Sequence, residues 1–383
     1  MHKHCNVCQS PLSAPIYHSR ADNSLTSLCQ LYPGSTQVWF CKTCGHIMGS
    51  PLECTGEYYA NDYKILLNHD EEDQIYEVVD GFVTYRIAHQ LKVLNSKLRL
   101  HTGQKILDYG CAKGGMAANL LRETPGLDFH FFDVSEMYRS YWARMATPDK
   151  CAVDDTPAQW VGCFDVVTSY FSLEHIPDPR WSARHIASLL KNDGVFYAIV
   201  PDTLGNAADF LVVDHVNHFT VNSIVQLLQD AGFTSVEVDS QSHRGALVVV
   251  ARKEGARTLP QPIANLYETV TGLSRFWTDL SMQLLTIETN LSGPAAIYGS
   301  GFYGAFIYAN LKNPRLVKLF LDQSPYQQGR CLFDVPIVSP NALPKSIETL
   351  FIGLNPKIAR QVIASQPALT RPGLRHIFLD APA

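Results

Sequence analysis

Four apolar runs between residues 105 and 201, read in order, constrain the fold more than any other feature of this 383-residue chain. Lys105-Ile106-Leu107-Asp108-Tyr109 enters the turn Gly110-Cys111-Ala112-Lys113-Gly114-Gly115. Ala117, Ala118, Leu120 and Leu121 then recur at helical spacing. Phe129-His130-Phe131-Phe132-Asp133 is a second run ending in an acid, where a carboxylate can accept ribose hydroxyls. Asp154 and Asp155 follow a third strand. The run 164–170 comes next, and Lys191-Asn192-Asp193-Gly194 then turns into a strand over 195–201. Such alternation predicts an α/β sheet whose ligand lies at the carboxyl ends of the strands.

Ahead of this region stand two Cys-x-x-Cys pairs, Cys5/Cys8 and Cys41/Cys44. Two such turns can surround one ion tetrahedrally, and four thiolates leave no open coordination position. The expectation is a structural Zn2+ in a module over residues 1–60. Gly45 lets the backbone curl so that its amides point at the Cys44 sulfur. His2, His4 and His46 lie near enough in the sequence to replace one cysteine but read first as surface residues, and the other cysteines read as packing residues. Only Lys3, Arg20 and Lys42 are basic before residue 50, and the net charge is -5, so nucleic acid and anionic membranes are not expected partners. With no signal-peptide core and no apolar run of about 20 residues, the expected location is the cytoplasm, as a monomer or homodimer.

Residues 61–102 read as a helical connector and lid. Ile75, Val78, Val79, Phe82, Ala88, Leu91, Leu94 and Leu98 recur at helical spacing, with Gly81 as a break. The tyrosine-rich stretch 58–63 reads equally as a lid over a substrate or a loop on the surface. Tyr63 and Arg86 are candidate substrate residues, and an arginine there either binds an anion or extends its head to water.

In Asp214-His215-Val216-Asn217-His218-Phe219-Thr220, two histidines beside an aspartate suit general-base work. His215 is the candidate base, with Asp214, His218 and Asn217 around it. Asn217 reads as a substrate contact or as a residue holding the loop, and His218 also reads as core. Thr220 caps a helix over 221–231. Glu174 and His175 read mainly as shaping the helix after the strand 164–170.

A helical linker over 256–292 leads to a second α/β region, 293–383. Ala295-Ala296-Ile297-Tyr298-Gly299-Ser300-Gly301-Phe302-Tyr303-Gly304 is another strand-to-glycine-turn signal, and 316–322 ends in Asp322. Alone this pattern suggests a dinucleotide site, hence an NAD-dependent oxidoreductase as a distant alternative.

The segment from Phe164 through Ser172-Leu173-Glu174-His175-Ile176-Pro177-Asp178-Pro179 closely resembles the fourth strand of class I S-adenosylmethionine-dependent methyltransferases, and the acidic start at Asp108 fits the same family. That resemblance implies a Rossmann-like cofactor domain over 103–255. Asp108, Gly110, Ala112, Gly114 and Tyr170 would surround S-adenosyl-L-methionine, Asp133 its ribose and Asp154 its adenine. Ala112 stands where the family usually has glycine.

Tyr298-Gly299-Ser300-Gly301, Asp322-Gln323-Ser324-Pro325-Tyr326-Gln327-Gln328-Gly329 and Pro336-Ile337-Val338-Ser339-Pro340 extend the likeness to nearly the whole chain, which resembles the sugar C-methyltransferases. The resemblance implies an N-terminal zinc module and a smaller C-terminal Rossmann-like domain with Gly301 and Tyr303 on the substrate side. The small-molecule substrate it implies is a nucleotide-linked keto-deoxysugar, methylated on carbon through an enolate. Asp214-His215 matches the family's acid and histidine. Val212 replaces its tyrosine, and Asp62-Tyr63-Lys64-Ile65-Leu66-Leu67-Asn68-His69 departs from its tyrosine segment. These departures keep O- or N-methylation as the alternative, with a non-catalytic binding protein behind it.

Overall fold

The computed structural model describes residues 3–53, 55–63, 73–79, 82–259, 265–291 and 293–379. The chain folds into two compact units. One comprises 1–13, 40–205 and 215–264, the other 14–39, 206–214 and 265–383. Among the described residues no helix is long and apolar enough to cross a membrane.

The first unit is built on a seven-stranded sheet of β1 (Lys105–Tyr109), β2 (Asp128–Asp133), β3 (Cys151–Val153), β4 (Phe164–Tyr170), β5 (Leu190–Pro201), β6 (Ser235–Asp239) and β7 (Ala246–Arg252). Their order is 3-2-1-4-5-7-6. The first five are parallel and β7 runs against both neighbours. Strand order reverses between β1 and β4, and in such sheets the crevice at that point takes the ligand. The strands are near-continuous apolar runs because both faces are covered. Phe131, Trp142, Tyr197 and Ile199 are buried in the core.

Helix α1 (Gly115–Glu123) follows the glycine turn, and α2 (Pro179–Leu189) starts behind Asp178, whose carboxylate accepts from Trp181 N. Helix α3 (Val221–Asp230) carries the expected Thr220 cap as a reciprocal pair with Ser223. β5 begins five residues before its expected start at 195, because Lys191 to Gly194 continue the strand instead of turning.

The connector differs more. Ile75–Val79 and Phe82–Tyr85 form an antiparallel hairpin, and among the described residues of 73–102 only Arg86–Lys97 is helical. Ile, Val, Phe and Thr dominate the hairpin, and such residues favour extended backbone. Lys64 to His69 and Gly81 lie outside the described residues.

The second unit holds α4 (Leu266–Thr289), within the expected linker, and a six-stranded sheet. Its strands are β8 (Ala295–Tyr298), β9 (Val317–Leu321), β10 (Cys331–Leu332), β11 (Val335–Val338), β12 (Thr349–Ile352) and β13 (Arg375–Phe378), ordered 10-11-9-8-12-13 with only β10 antiparallel. Helix α5 (Phe302–Asn310) follows the glycine turn. Trp277 of α4 is fully buried and stacks on Tyr303 with ring centroids 5.6 Å apart.

Candidate active site and metal centre

The turn after β1 has an unusual backbone, with φ of +73° at Gly110, +44° at Ala112 and +71° at Gly114. At Gly110 a side chain has no room, since a Cβ would fall 2.1 Å from Ser172 Oγ. Ala112 adopts the left-handed conformation despite its methyl group. Its N–H donates to Asp133 Oδ2 (2.8 Å), and Ser135 N–H donates to Asp133 Oδ1 (3.1 Å). Each carboxylate oxygen keeps a lone pair for another donor.

Asp108 is 2% exposed and accepts from Thr168 Oγ1 at 3.2 Å. Burial, with Asp133 nearby, pushes its carboxyl up to about 7. Burial also raises Asp133. One buried and one half-buried acid with no basic side chain against them among the described residues form a donor set that suits a cationic, hydroxyl-bearing ligand. S-adenosyl-L-methionine is such a ligand. Tyr170 places a buried hydroxyl at the end of β4, whereas Asp154 is exposed just after β3.

Beyond β4 the chain makes a short helical turn, Leu173–His175. Ligand atoms of Glu174, His175 and His215 all lie within 4.8 Å of one another. The rings of His175 and His215 meet edge to face at 4.7 Å. Tyr59 Oη and His175 Nδ1 share a hydrogen bond of 2.8 Å, and the Tyr63 ring lies 5.3 Å from the His175 ring. Arg86 lies 3.7 Å over the Phe171 ring, close enough for Glu174 and Tyr63 to act on its charge. The stretch 58–63 is tied to the end of β2 by Ser135 Oγ donating to Ala60 O and Tyr138 Oη donating to Tyr63 O. The structure thus gathers His215, Tyr63 and Arg86 with Glu174, His175 and Tyr59.

Other candidates take different places. Asn217 is buried and donates to Leu173 O (3.0 Å) and Ile176 O (2.7 Å), so it holds the loop. His218 is 1% exposed and pairs with Ile47 in a short antiparallel ladder. Asp214 belongs to the second unit, where its two oxygens accept from Ser27 N (2.6 Å) and Ser27 Oγ (2.7 Å).

The four sulfurs of Cys5, Cys8, Cys41 and Cys44 also lie within 4.8 Å of one another. Cys5–Cys44 is 3.7 Å and Cys8–Cys41 3.5 Å. Zinc bound at about 2.3 Å to four sulfurs sets them roughly 3.8 Å apart, so the cluster fits that ion. Crowding polarises the thiols in opposite directions. Hydrogen bonds from Cys44 and Cys5 hold Cys41 far below its usual range, while the bond to Cys41 pushes Cys44 up and moves Cys5 up to about 12. Four thiolates coexist only around a cation. Gly45 N–H donates to Cys41 O rather than toward the Cys44 sulfur. His46 is fully buried, not on the surface, with Nδ1 3.3 Å from Ser223 Oγ, and burial lowers its imidazole to about 3. Cys331 is exposed rather than packed.

In the second unit, Gly299 (φ +98°) donates to Leu321 O, and a Cβ on Gly304 would fall 2.0 Å from Gly299 O. Asp322 Oδ2 accepts from Ser300 N (3.0 Å) and Ser300 Oγ (2.6 Å), and Oδ1 from Ser324 N (2.9 Å). Gly301 stands at the start of α5, where a Cβ would meet nothing within 4 Å, and Tyr303 lies in the core.

A methyltransferase-domain family model matches residues 79–238, a span that takes in the glycine turn, Asp133 and the Glu174–His175–His215 cluster. The chain is 34% identical over 102 residues to the ubiquinone biosynthesis O-methyltransferase of Escherichia coli O127:H6, covering 25% of this chain and 42% of that protein. The protein of the same name from Vibrio campbellii is 33% identical over 102 residues, covering 25% and 43%. The chain thus spans less than half the length of these curated relatives. An S-adenosylmethionine-dependent methyltransferase of Mesorhizobium loti, of known structure, is 18% identical, with 43% and 98% of the two chains covered and a TM-score of 0.36. On the family match, the chain carries a class I S-adenosylmethionine-dependent methyltransferase domain.

Proposed function

We propose that the protein methylates a small molecule, the carbon beside the ketone of a nucleotide-linked keto-deoxysugar, with His215 as general base. The observation that carries this reading is the Glu174–His175–His215 cluster at the end of β4, beside the glycine turn. Bound S-adenosyl-L-methionine would supply an electrophilic methyl group on a sulfonium. Asp108, Asp133 and the backbone of 110–114 would hold it.

His215 would take the proton from the acidic carbon as the enolate forms. Glu174 favours the resulting imidazolium, because a carboxylate that close stabilises positive charge. Tyr59 fixes the ring of His175 through Nδ1. Arg86, with Glu174 and Tyr63 nearby, would meet the negative charge of enolate or nucleotide. The four cysteines would hold a structural zinc.

Methyl transfer to oxygen is the second reading. The curated relatives are named O-methyltransferases, and the same base would serve a hydroxyl. Incubating a panel of keto-sugar nucleotides and phenolic acceptors with methyl-labelled cofactor separates the two. Label on carbon supports the first reading and label on oxygen replaces it. Without cofactor, wild-type protein in deuterated water should exchange the proton beside the ketone. His215→Ala should abolish exchange and slow turnover by roughly 100-fold or more. Unchanged exchange in that variant removes His215 from the role.

A further inference from the structure

The turn Cys5-Asn6-Val7-Cys8 contributes more than sulfur ligands. Asn217 points its amide nitrogen at two backbone carbonyls, Leu173 O and Ile176 O, which bracket Glu174 and His175. Carbonyl oxygens only accept, so Asn217 must donate on that side, and this fixes its Oδ1 on the other. Oδ1 faces Asn6, whose Nδ2 donates to it at 2.5 Å. The orientation of both amides therefore follows from chemistry alone. Asn217 is 1% exposed, so no bulk water stands ready to replace a lost partner. The second cysteine turn grips the same segment further on, where Thr220 Oγ1 donates to Gly45 O at 3.2 Å.

We propose that Asn6 is a positioning residue for the reaction, acting through Asn217 on the turn that carries Glu174 and His175. The four-cysteine centre thereby sets the geometry of the catalytic loop as well as folding the N-terminus. Asn6 touches neither substrate nor cofactor in this account. It fixes where one face of the Glu174–His175–His215 cluster stands.

The substitution Asn6→Asp has nearly the same shape and separates this role from knuckle packing. It removes the donor and sets a carboxylate against Asn217 Oδ1. Asn217 must then either face that repulsion or flip, which turns its oxygen onto two carbonyls. Asn6→Ala only removes the bond that Asn6 donates and sets no repulsive charge against Oδ1. The expected order of disturbance is Asp worse than Ala, the reverse of what size alone predicts.

Amide hydrogen exchange on the zinc-loaded full chain reads the effect directly. In Asn6→Asp, exchange at 173–176 should rise by roughly tenfold, while exchange at 110–115 stays at the wild-type rate. Zinc per chain and S-adenosylmethionine affinity should match the wild type, and kcat should fall with KM for the cofactor unchanged. Asn217→Asp keeps the Asn6 contact but loses both carbonyl bonds, and should raise exchange at the same turn. Unchanged exchange at 173–176 in both variants overturns the proposal, as does Asn6→Asp behaving better than Asn6→Ala. Loss of zinc from Asn6→Asp also counts against it, since the residue would then serve the metal site. Turnover depends on the cluster being catalytic as proposed above, whereas exchange does not. A rise in exchange without a fall in kcat would therefore fault that reading and spare this one.

Discussion

The two glycine turns, one in each unit, start from the same pattern and end differently. Both follow a central parallel strand, both precede a helix, and both have an aspartate at the end of the next strand. At the first turn Asp133 accepts from backbone N–H groups alone, those of Ala112, Val134 and Ser135, and Asp108 lies buried without a cation against it among the described residues. At the second, Ser300 gives Asp322 Oδ2 both its N–H and its hydroxyl, Ser324 takes Oδ1, and Gly304 closes on Gly299 O. The first turn has two carboxyls that burial raises and that a bound cation would bring back to the charged form, while the second holds its acid with a hydroxyl and two N–H groups of its own loop segments. A glycine fingerprint therefore specifies close backbone approach, and what approaches is decided by the neighbouring side chains. By this comparison the second turn is a structural joint, and the oxidoreductase alternative loses its acid.

The sharpest way to break the contrast is to remove each acid in turn. Asp133→Ala should weaken S-adenosylmethionine binding by roughly 30- to 100-fold, about 2–3 kcal/mol, by calorimetric titration. Affinity within threefold of the wild type would contradict the assignment of the first turn.

The pH dependence of binding is the next largest effect. A cation binds the carboxylate form of Asp108, whose carboxyl sits at about 7 in the ligand-free protein. Affinity should therefore rise with pH through neutrality, by up to roughly tenfold per unit below it. Stability of the ligand-free protein should move the opposite way. A carboxyl raised above its unfolded value of 3.8 favours folding most at low pH, and that contribution is lost as pH rises through about 7. Affinity flat between pH 6 and 8 would show that Asp108 does not face the cofactor.

Asp322→Ala should leave cofactor affinity alone and cost about 1–2 kcal/mol of stability, read by denaturant unfolding, because three donors lose their acceptor. A fall in cofactor affinity there would erase the contrast. The smallest effect is at Ala112. Ala112→Gly removes a methyl from a left-handed residue and should raise stability by about 0.5 kcal/mol without weakening binding. A loss of stability would mean that the methyl packs more than it strains.

Local signals were legible in the sequence and non-local ones were not. The turn at 110–115, the acid at 133 and the paired cysteines each declare themselves within a few residues, because their chemistry depends on chain spacing. The paired strands Ile75–Val79 and Phe82–Tyr85 did not, since Ile75, Val78, Val79 and Phe82 satisfy helical periodicity as well as β-preference. Phe82 in fact stands 80% exposed, so it was never a core position. Asp214 and His215 are neighbours in the chain, which suggested a pair, yet the Asp214 oxygens go to Ser27, 187 residues away. Glu174 and His175 stand in a cluster only because Asn217, Tyr59 and His215 converge on them from distant segments. His46 looked like a surface residue because nothing in its local sequence reports Ser223 beside it.

The most direct test is calorimetric titration of purified wild-type protein with S-adenosylmethionine and, separately, with NAD. One equivalent of S-adenosylmethionine should bind and be lost in competition with its demethylated product, while NAD should give no binding heat. Binding of NAD in place of S-adenosylmethionine, or of neither, would contradict the claim that the first glycine turn and its two acids form the cofactor site.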